Sequence, residues 1–357
     1  MRLTERDIID RLSSQIDLYK PLEIIQINQE SNYKIDAIIE FTIQGGPSFE
    51  AMAEVVTRST PKIIYQKSNL LKDLFSEFGN RKLVPMIVAP YISKIQSTIL
   101  SEQGISWIDL SGNMLLNIPP EIYIERTGKP NKFPDTAPIK KVFEGTSSLV
   151  SRALLLRPEG FSSSNEIVEF INERNGQITA ATVSKVLKSL EEELLISRTN
   201  SNIFVKQPQQ LLGNLAEGYA DYSRRKKNSS YKYDIDNIND LFKVFYEKSV
   251  DYAYCGFYAA QIKGYGVTEQ ATVFLKSMQD IKKLFKNMPD VARADEEYGQ
   301  VTFIETKNPC VWFNNQGESY EKIIDDLELY LEMNIDSPRG PKIAKQLKER
   351  ILGKFNG

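Results

Sequence analysis

Histidine is missing from all 357 residues. That absence removes Ser-His-Asp and Cys-His triads, every imidazole general base and nearly all catalytic zinc sites. Cysteine is almost as scarce, and Cys255 and Cys310 alone make neither a disulfide framework nor a zinc knuckle. No excess of either charge is present: 45 Lys and Arg stand against 47 Asp and Glu, so the chain as a whole is not a polycation. No apolar run approaches the roughly 20 residues of a membrane span. The richest neighbourhood, Leu83–Ile92, carries two prolines. Residues 1–20 alternate charged and apolar side chains without the apolar stretch of a signal peptide, so the expected location is cytoplasmic, away from membranes. Any catalysis would have to rest on carboxylates, Lys, Tyr or Ser. No catalytic residue, cofactor or bound metal is expected.

What is present divides into blocks, as a chain of two to three domains of roughly 100–200 residues each should. Residues 1–138 open with an amphipathic helix over 3–19. Three strand-like runs follow, Leu22–Ile27, Tyr33–Phe41 and Phe49–Thr57, with Lys62–Tyr65 as a short fourth. A helix over 67–79 should end at Gly79-Asn80. The nearly all-apolar Leu83–Ala89 suits a strand buried on both faces, and it feeds a helix over 91–103. Short strands Ile105–Asp109, Met114–Ile118 and Ile122–Glu125 complete an α/β layer with a mixed sheet. The proline-rich stretch Thr127–Pro138 reads as a linker.

Residues 139–207 follow a different pattern. Helical periodicity over Val142–Leu156, Ser164–Asn172 and Thr179–Glu193 is followed by strands Leu195–Ser197 and Ile203–Lys206 around a polar tip. Three helices and a hairpin outline a winged helix-turn-helix. Charge agrees: residues 139–227 hold 13 basic and 10 acidic residues, whereas 1–138 hold 15 and 17, and 228–357 hold 17 and 20. The one positive block is where phosphate affinity would be needed. In such a module the third helix enters the major groove. That assigns DNA contacts to Thr179, Ala180, Thr182, Ser184, Lys185 and Lys188, with Val183, Val186, Leu187 and Leu190 packed inward. The hairpin offers Arg198, Asn200, Asn202 and Lys206 to backbone or minor groove. Winged helices also dock proteins, so a docking module is the alternative. A helical linker over 208–229 ends in the basic run Arg224–Lys227. Residues 230–357 read as a second α/β unit: helix Asn237–Glu247, strand Tyr252–Cys255, helix Phe257–Lys263, strands Ala271–Leu275 and Val301–Glu305, and closing helices Tyr320–Met333 and Lys342–Leu352.

Three smaller constellations bear on chemistry. Asp36 and Glu54, on successive strands, resemble the acidic pair of PD-(D/E)XK nucleases, where carboxylates hold a divalent metal and a Lys two residues on steers the nucleophile. Here that Lys position is Val56, and Lys62 is the nearest downstream candidate. A restriction-endonuclease-like domain that has lost activity is the expectation; a live nuclease using Asp36, Glu54 and Lys62 is the enzyme rival. In the string Gly104–Asn113, Asp109 and Asn113 bracket a Ser-Gly turn and are expected to bond its amides. Cys255-Gly256-Phe257-Tyr258-Ala259-Ala260 is a strand-to-helix glycine turn like that of nucleotidyltransferases. The next strand, Thr272–Leu275, lacks the Asp-x-Asp pair that would bind two metals, so this domain too is expected to be inactive.

In order, Val84–Leu100, the Gly104–Asn113 string, Ile139–Arg198 with its lead-in Phe143-Glu144-Gly145-Thr146-Ser147-Ser148-Leu149, and Gly256–Ala260 with the helical tail resemble the long, three-domain members of the AbiEi family of type IV antitoxins. The resemblance implies a DNA-binding transcriptional regulator of a toxin–antitoxin system that represses its own operon and opposes a nucleotidyltransferase-like toxin. A homodimer is expected, because one winged helix buries too little surface for operator-level affinity.

Overall fold

The computed structural model describes residues 3–29, 35–77, 83–120, 122–133, 140–199, 201–226, 228–286, 292–295, 297–315, 321–335 and 339–355. The chain is mixed α/β and forms two compact units, 1–139 with 192–194, and 140–191 with 195–357.

The first unit opens with α1 (Glu5–Ser14). A capping box starts it: the Thr4 hydroxyl accepts from the Asp7 amide and the Asp7 carboxylate accepts from the Thr4 amide. Seven strands then lie side by side in chain order: β1 (Leu22–Asn28), β2 (Ala37–Ile43), β3 (Ser48–Val55), β4 (Leu83–Ala89), β5 (Ser106–Asp109), β6 (Met114–Ile118) and β7 (Ile122–Arg126). β1, β2 and β3 form an antiparallel meander, while β3, β4 and β5 run parallel. Parallel neighbours need crossovers, supplied by α2 (Pro61–Glu77) and α3 (Lys94–Glu102). Alternation along the strands decides the faces. Ala37, Ile39, Phe41, Ala51, Ala53 and Val55 pack with Ile8 and Leu12 of α1, whereas Met52, Ile87 and Trp107 pack with Ile64 and Leu71 of α2 and Leu100 of α3. The sheet is therefore sandwiched between helices.

Lys62–Tyr65 is the first turn of α2 and not a strand. Pro61 starts that helix with its φ already set, and Ile64, Ser68 and Leu71 recur on one buried face, a period that a strand cannot satisfy. The expected cap at Gly79-Asn80 lies outside the described residues.

The second unit begins with 3₁₀ turns over Lys140–Phe143 and Gly145–Ser147, followed by α4 (Ser148–Leu156). The helix expected from Val142 is shorter because Gly145 takes a left-handed φ of +51°. Then come α5 (Ser164–Asn172), α6 (Ala180–Glu192) and the hairpin β8 (Ile196–Arg198) and β9 (Ile203–Val205). Helix α7 (Pro208–Arg225) occupies most of the segment read as a linker and sends Leu211, Leu212 and Leu215 into the core.

Beyond it lie β10 (Ser229–Ile235), α8 (Ile238–Glu247), β11 (Tyr252–Cys255), α9 (Gly256–Ile262), β12 (Ala271–Leu275), α10 (Met278–Lys286), β13 (Ala292–Ala294), β14 (Val301–Glu305), α11 (Asp326–Ile335) and α12 (Gly340–Gly353). The sheet order is β11-β12-β14-β10-β13, with β12 and β14 parallel and the other pairs antiparallel. The helix expected from Tyr320 starts only at Asp326. Residues 322–324 instead run beside β11, where the Tyr254 amide donates to Lys322 O and the Ile324 amide to Tyr254 O. One apolar cluster runs through this unit from Val142 to Ile351. No helix among the described residues is long and apolar enough to cross a membrane.

Candidate functional site

Helix α6 is positioned by its own sequence. Asn175 takes a left-handed φ of +61° in the turn before it, and the Thr179 hydroxyl accepts from the Thr182 amide at 3.3 Å. Val183, Val186, Leu187 and Leu190 are buried, as their spacing requires. The opposite face is open: Ala180, Ala181, Ser184, Lys185 and Lys188 are exposed. Ala181, outside the contact set expected from sequence, belongs to this face too. Thr179 and Thr182 sit at its edge, where they line a cleft.

On the hairpin, Arg198 and Lys206 are exposed and Asn202 is half-buried; Asn200 lies outside the described residues. Lys185, Lys188, Arg198 and Lys206 have no carboxylate partner among the described residues. The basic run after α7 is different. Arg224 pairs with Asp221 at 2.8 Å, Arg225 with Glu144 at 2.5 Å, and Lys226 lies over the Tyr222 ring; Lys227 is outside the described residues.

The cleft at the start of α6 measures about 1250 Å³. Lys276, Lys307 and Lys322 line it, against one carboxylate among the described residues, Asp251. Lys276 pairs with Asp251 at 2.7 Å, and Lys322 lies over the Tyr252 ring.

In the first unit, Asp36 and Glu54 come together because residues 37 and 53 are register partners on β2 and β3. Strand alternation puts both carboxylates on the α2 side with Met52. The cation that meets them is Lys67, not Lys62. Lys67 lies three residues after Ile64, on the buried face of α2, and its ammonium contacts Glu54 and stands 3.9 Å from Asp36. Asp36 also accepts from the Val55 amide at 2.8 Å. Burial raises the Glu54 carboxyl to about 7, with the nearby Asp36 charge adding to the rise and Lys67 opposing it. Among the described residues no three of Cys, Asp and Glu gather as metal ligands.

The Gly104–Asn113 string is a hydrogen-bonded knot. The fully buried Asp109 carboxylate accepts from the amides of Ile92, Ser111 and Asn113 and from Asn113 Nδ2. Asn113 Oδ1 in turn accepts from the Lys129 amide at 2.7 Å. Gly112 has φ +93°, and a Cβ there would meet Leu18 and Lys129 at 2.8 Å. These side chains hold turns in place.

At the second glycine turn, Gly256 has φ +59° and its amide donates to the Glu332 carboxylate at 2.9 Å. That amide is thereby satisfied by a carboxylate of the chain itself. Cys255 and Cys310 are buried, and burial raises both thiols, so neither is a ready thiolate. Behind the turn, Arg152 of α4 meets Glu328 of α11 at 2.6 Å, both side chains almost fully buried.

No protein-family model matches the chain, and comparison with curated proteins finds no similar sequence. Among solved structures, the chain is similar to EndoMS in apo form at 13% identity and TM-score 0.22, over 30% of this chain and 47% of that one. It is also similar to an EndoMS–dsDNA complex at 14% identity and TM-score 0.23, over 34% and 48%. The chain therefore spans about half the length of those structures, and an overlap of this extent fixes neither fold nor activity.

Proposed function

We propose that the protein is a DNA-binding transcriptional regulator of AbiEi type, with α6 as the major-groove helix of a winged helix-turn-helix and β8–β9 as its wing. One observation carries this reading: the outer face of α6 combines small residues with two lysines free of carboxylate partners among the described residues. Ala180, Ala181 and Ser184 allow close approach to base edges, while Lys185 and Lys188 meet phosphates. Arg198 and Lys206 extend the cationic surface onto the hairpin. The flanking regions act as inactive nuclease-like and nucleotidyltransferase-like domains that bind a second copy or a partner. Repression of its own operon and opposition to a nucleotidyltransferase-like toxin belong to the same proposal, through the family resemblance.

The test is a gel-shift titration on duplex DNA from the upstream promoter. Replacing Lys185 and Lys188 by Ala should weaken binding and flatten the salt dependence by about one log–log unit per lost phosphate contact. Unchanged affinity and slope would favour a protein-docking role for α6.

A second reading, a nuclease, draws on the contact of Lys67 with both Asp36 and Glu54, which restores the missing residue type from a helix. Incubation of plasmid with magnesium or manganese separates the two readings. Cleavage abolished by Glu54→Gln and by Lys67→Met would establish the enzyme; intact plasmid leaves the cluster a structural one.

A further inference from the structure

The cleft beside α6 is chemically unlike the open face of the same helix. Its volume of about 1250 Å³ is more than a small ligand usually requires, and far too little for a duplex. Three lysines line it, against one carboxylate among the described residues. Lys307 is exposed and has no ion-pair partner among the described residues, so its charge is available to a ligand. The 13-residue helix α6 starts at the cleft wall, where Thr179 and Thr182 lie, and adds the partial positive charge of its first amides.

Two further features point beyond a simple anion. Asn315 lines the cleft, and its buried Oδ1 has no hydrogen-bond donor among the described residues. A buried acceptor left without a donor is costly, and a ligand N–H or O–H would satisfy it. The half-buried indole of Trp312 also lines the cleft, providing a planar apolar surface beside the lysines.

We propose that this cleft binds a nucleoside di- or triphosphate. Lys276, Lys307, Lys322 and the start of α6 receive the phosphates, Asn315 accepts from the base or ribose, and Trp312 packs against the planar ring. Inorganic phosphate or pyrophosphate satisfies the lysines alone and leaves Asn315 and Trp312 without a role. The site does not depend on α6 facing DNA, because Lys185 and Lys188 lie on the open face and not in the cleft lining.

Calorimetric titration of the full chain with ATP, GTP and pyrophosphate at low salt tests this. Saturable binding of at least one nucleotide is expected, about tenfold tighter than pyrophosphate, equal to about 1.4 kcal/mol. The Lys307→Ala, Lys322→Ala double variant should weaken it by about tenfold or more. Lys307→Ala alone, at an exposed side chain, should weaken it severalfold and keeps the test open if the double variant does not fold. Asn315→Leu should remove the preference for nucleotide over pyrophosphate. Absence of saturable nucleotide binding, equal affinity for nucleotide and pyrophosphate, or unchanged affinity in Lys307→Ala would overturn the proposal.

Discussion

Each unit sets a buried carboxylate against a cation, yet the two pairs obey different rules. In the first, Glu54 meets Lys67 at a site where the lysine is about one-third exposed and a second carboxylate, Asp36, stands close. In the second, Arg152 and Glu328 are 2% and 1% exposed, and Arg152 Nε and Glu328 Oε1 have no hydrogen-bond partner among the described residues. A carboxyl raised to about 7 can shed its charge near neutral pH. A guanidinium cannot, and the nearby Glu328 charge holds Arg152 above its ordinary value against its burial. The first pair can therefore be relieved by a proton, whereas the second is locked.

The largest effect should come from breaking the locked pair. Glu328→Ala leaves a buried guanidinium without its ion-pair partner and should cost about 3–5 kcal/mol in urea denaturation. A loss below about 1 kcal/mol would mean that water reaches Arg152 and would erase the contrast.

The pH response should be next in size. The folded Glu54 carboxyl lies above its ordinary 4.5, so the fold favours its protonated form. That contribution is complete below about 4.5 and is lost as pH rises through about 7. Between pH 5 and 8 the native chain should therefore lose about 2–3 kcal/mol relative to Glu54→Gln. Parallel pH profiles for the two proteins would contradict this.

Smaller again is the cost of Lys67→Met. At pH 8 it should destabilise by about 1–2 kcal/mol, because Glu54 can take up a proton in place of the lost ammonium. The cost should shrink towards pH 5, where Glu54 is already protonated. A pH-independent loss as large as that of Glu328→Ala would show that the two pairs are alike.

Sequence reading was strongest where periodicity is local. Strand β4 declares itself by its continuous apolar run, and α5 by its Ser163 cap and buried Ile167 and Ile171; both occupy the expected residues. Strand β10 follows closely on the basic run and opens with Ser229 and Ser230, so it leaves little local signal, although Tyr233 and Ile235 alternate into the core. The acidic pair was legible, but its cation was not. The nuclease pattern places its lysine along the strand, whereas the one that meets Glu54 comes from a helix, 13 residues further on. The Glu332 partner of Gly256 is 76 residues away and leaves no local trace. The split of the α6 residues, with Thr179 and Thr182 at a cleft and Lys185 and Lys188 in the open, likewise depends on what packs nearby.

The Asp109 knot has a consequence for how the first sheet comes apart. One carboxylate bridges the segment after β4 and the turn between β5 and β6, so fraying either place strands a buried charge. The amides of Ile92, Ser111 and Asn113 should consequently exchange with deuterium together, in one cooperative opening, and not in the order of their distance from solvent.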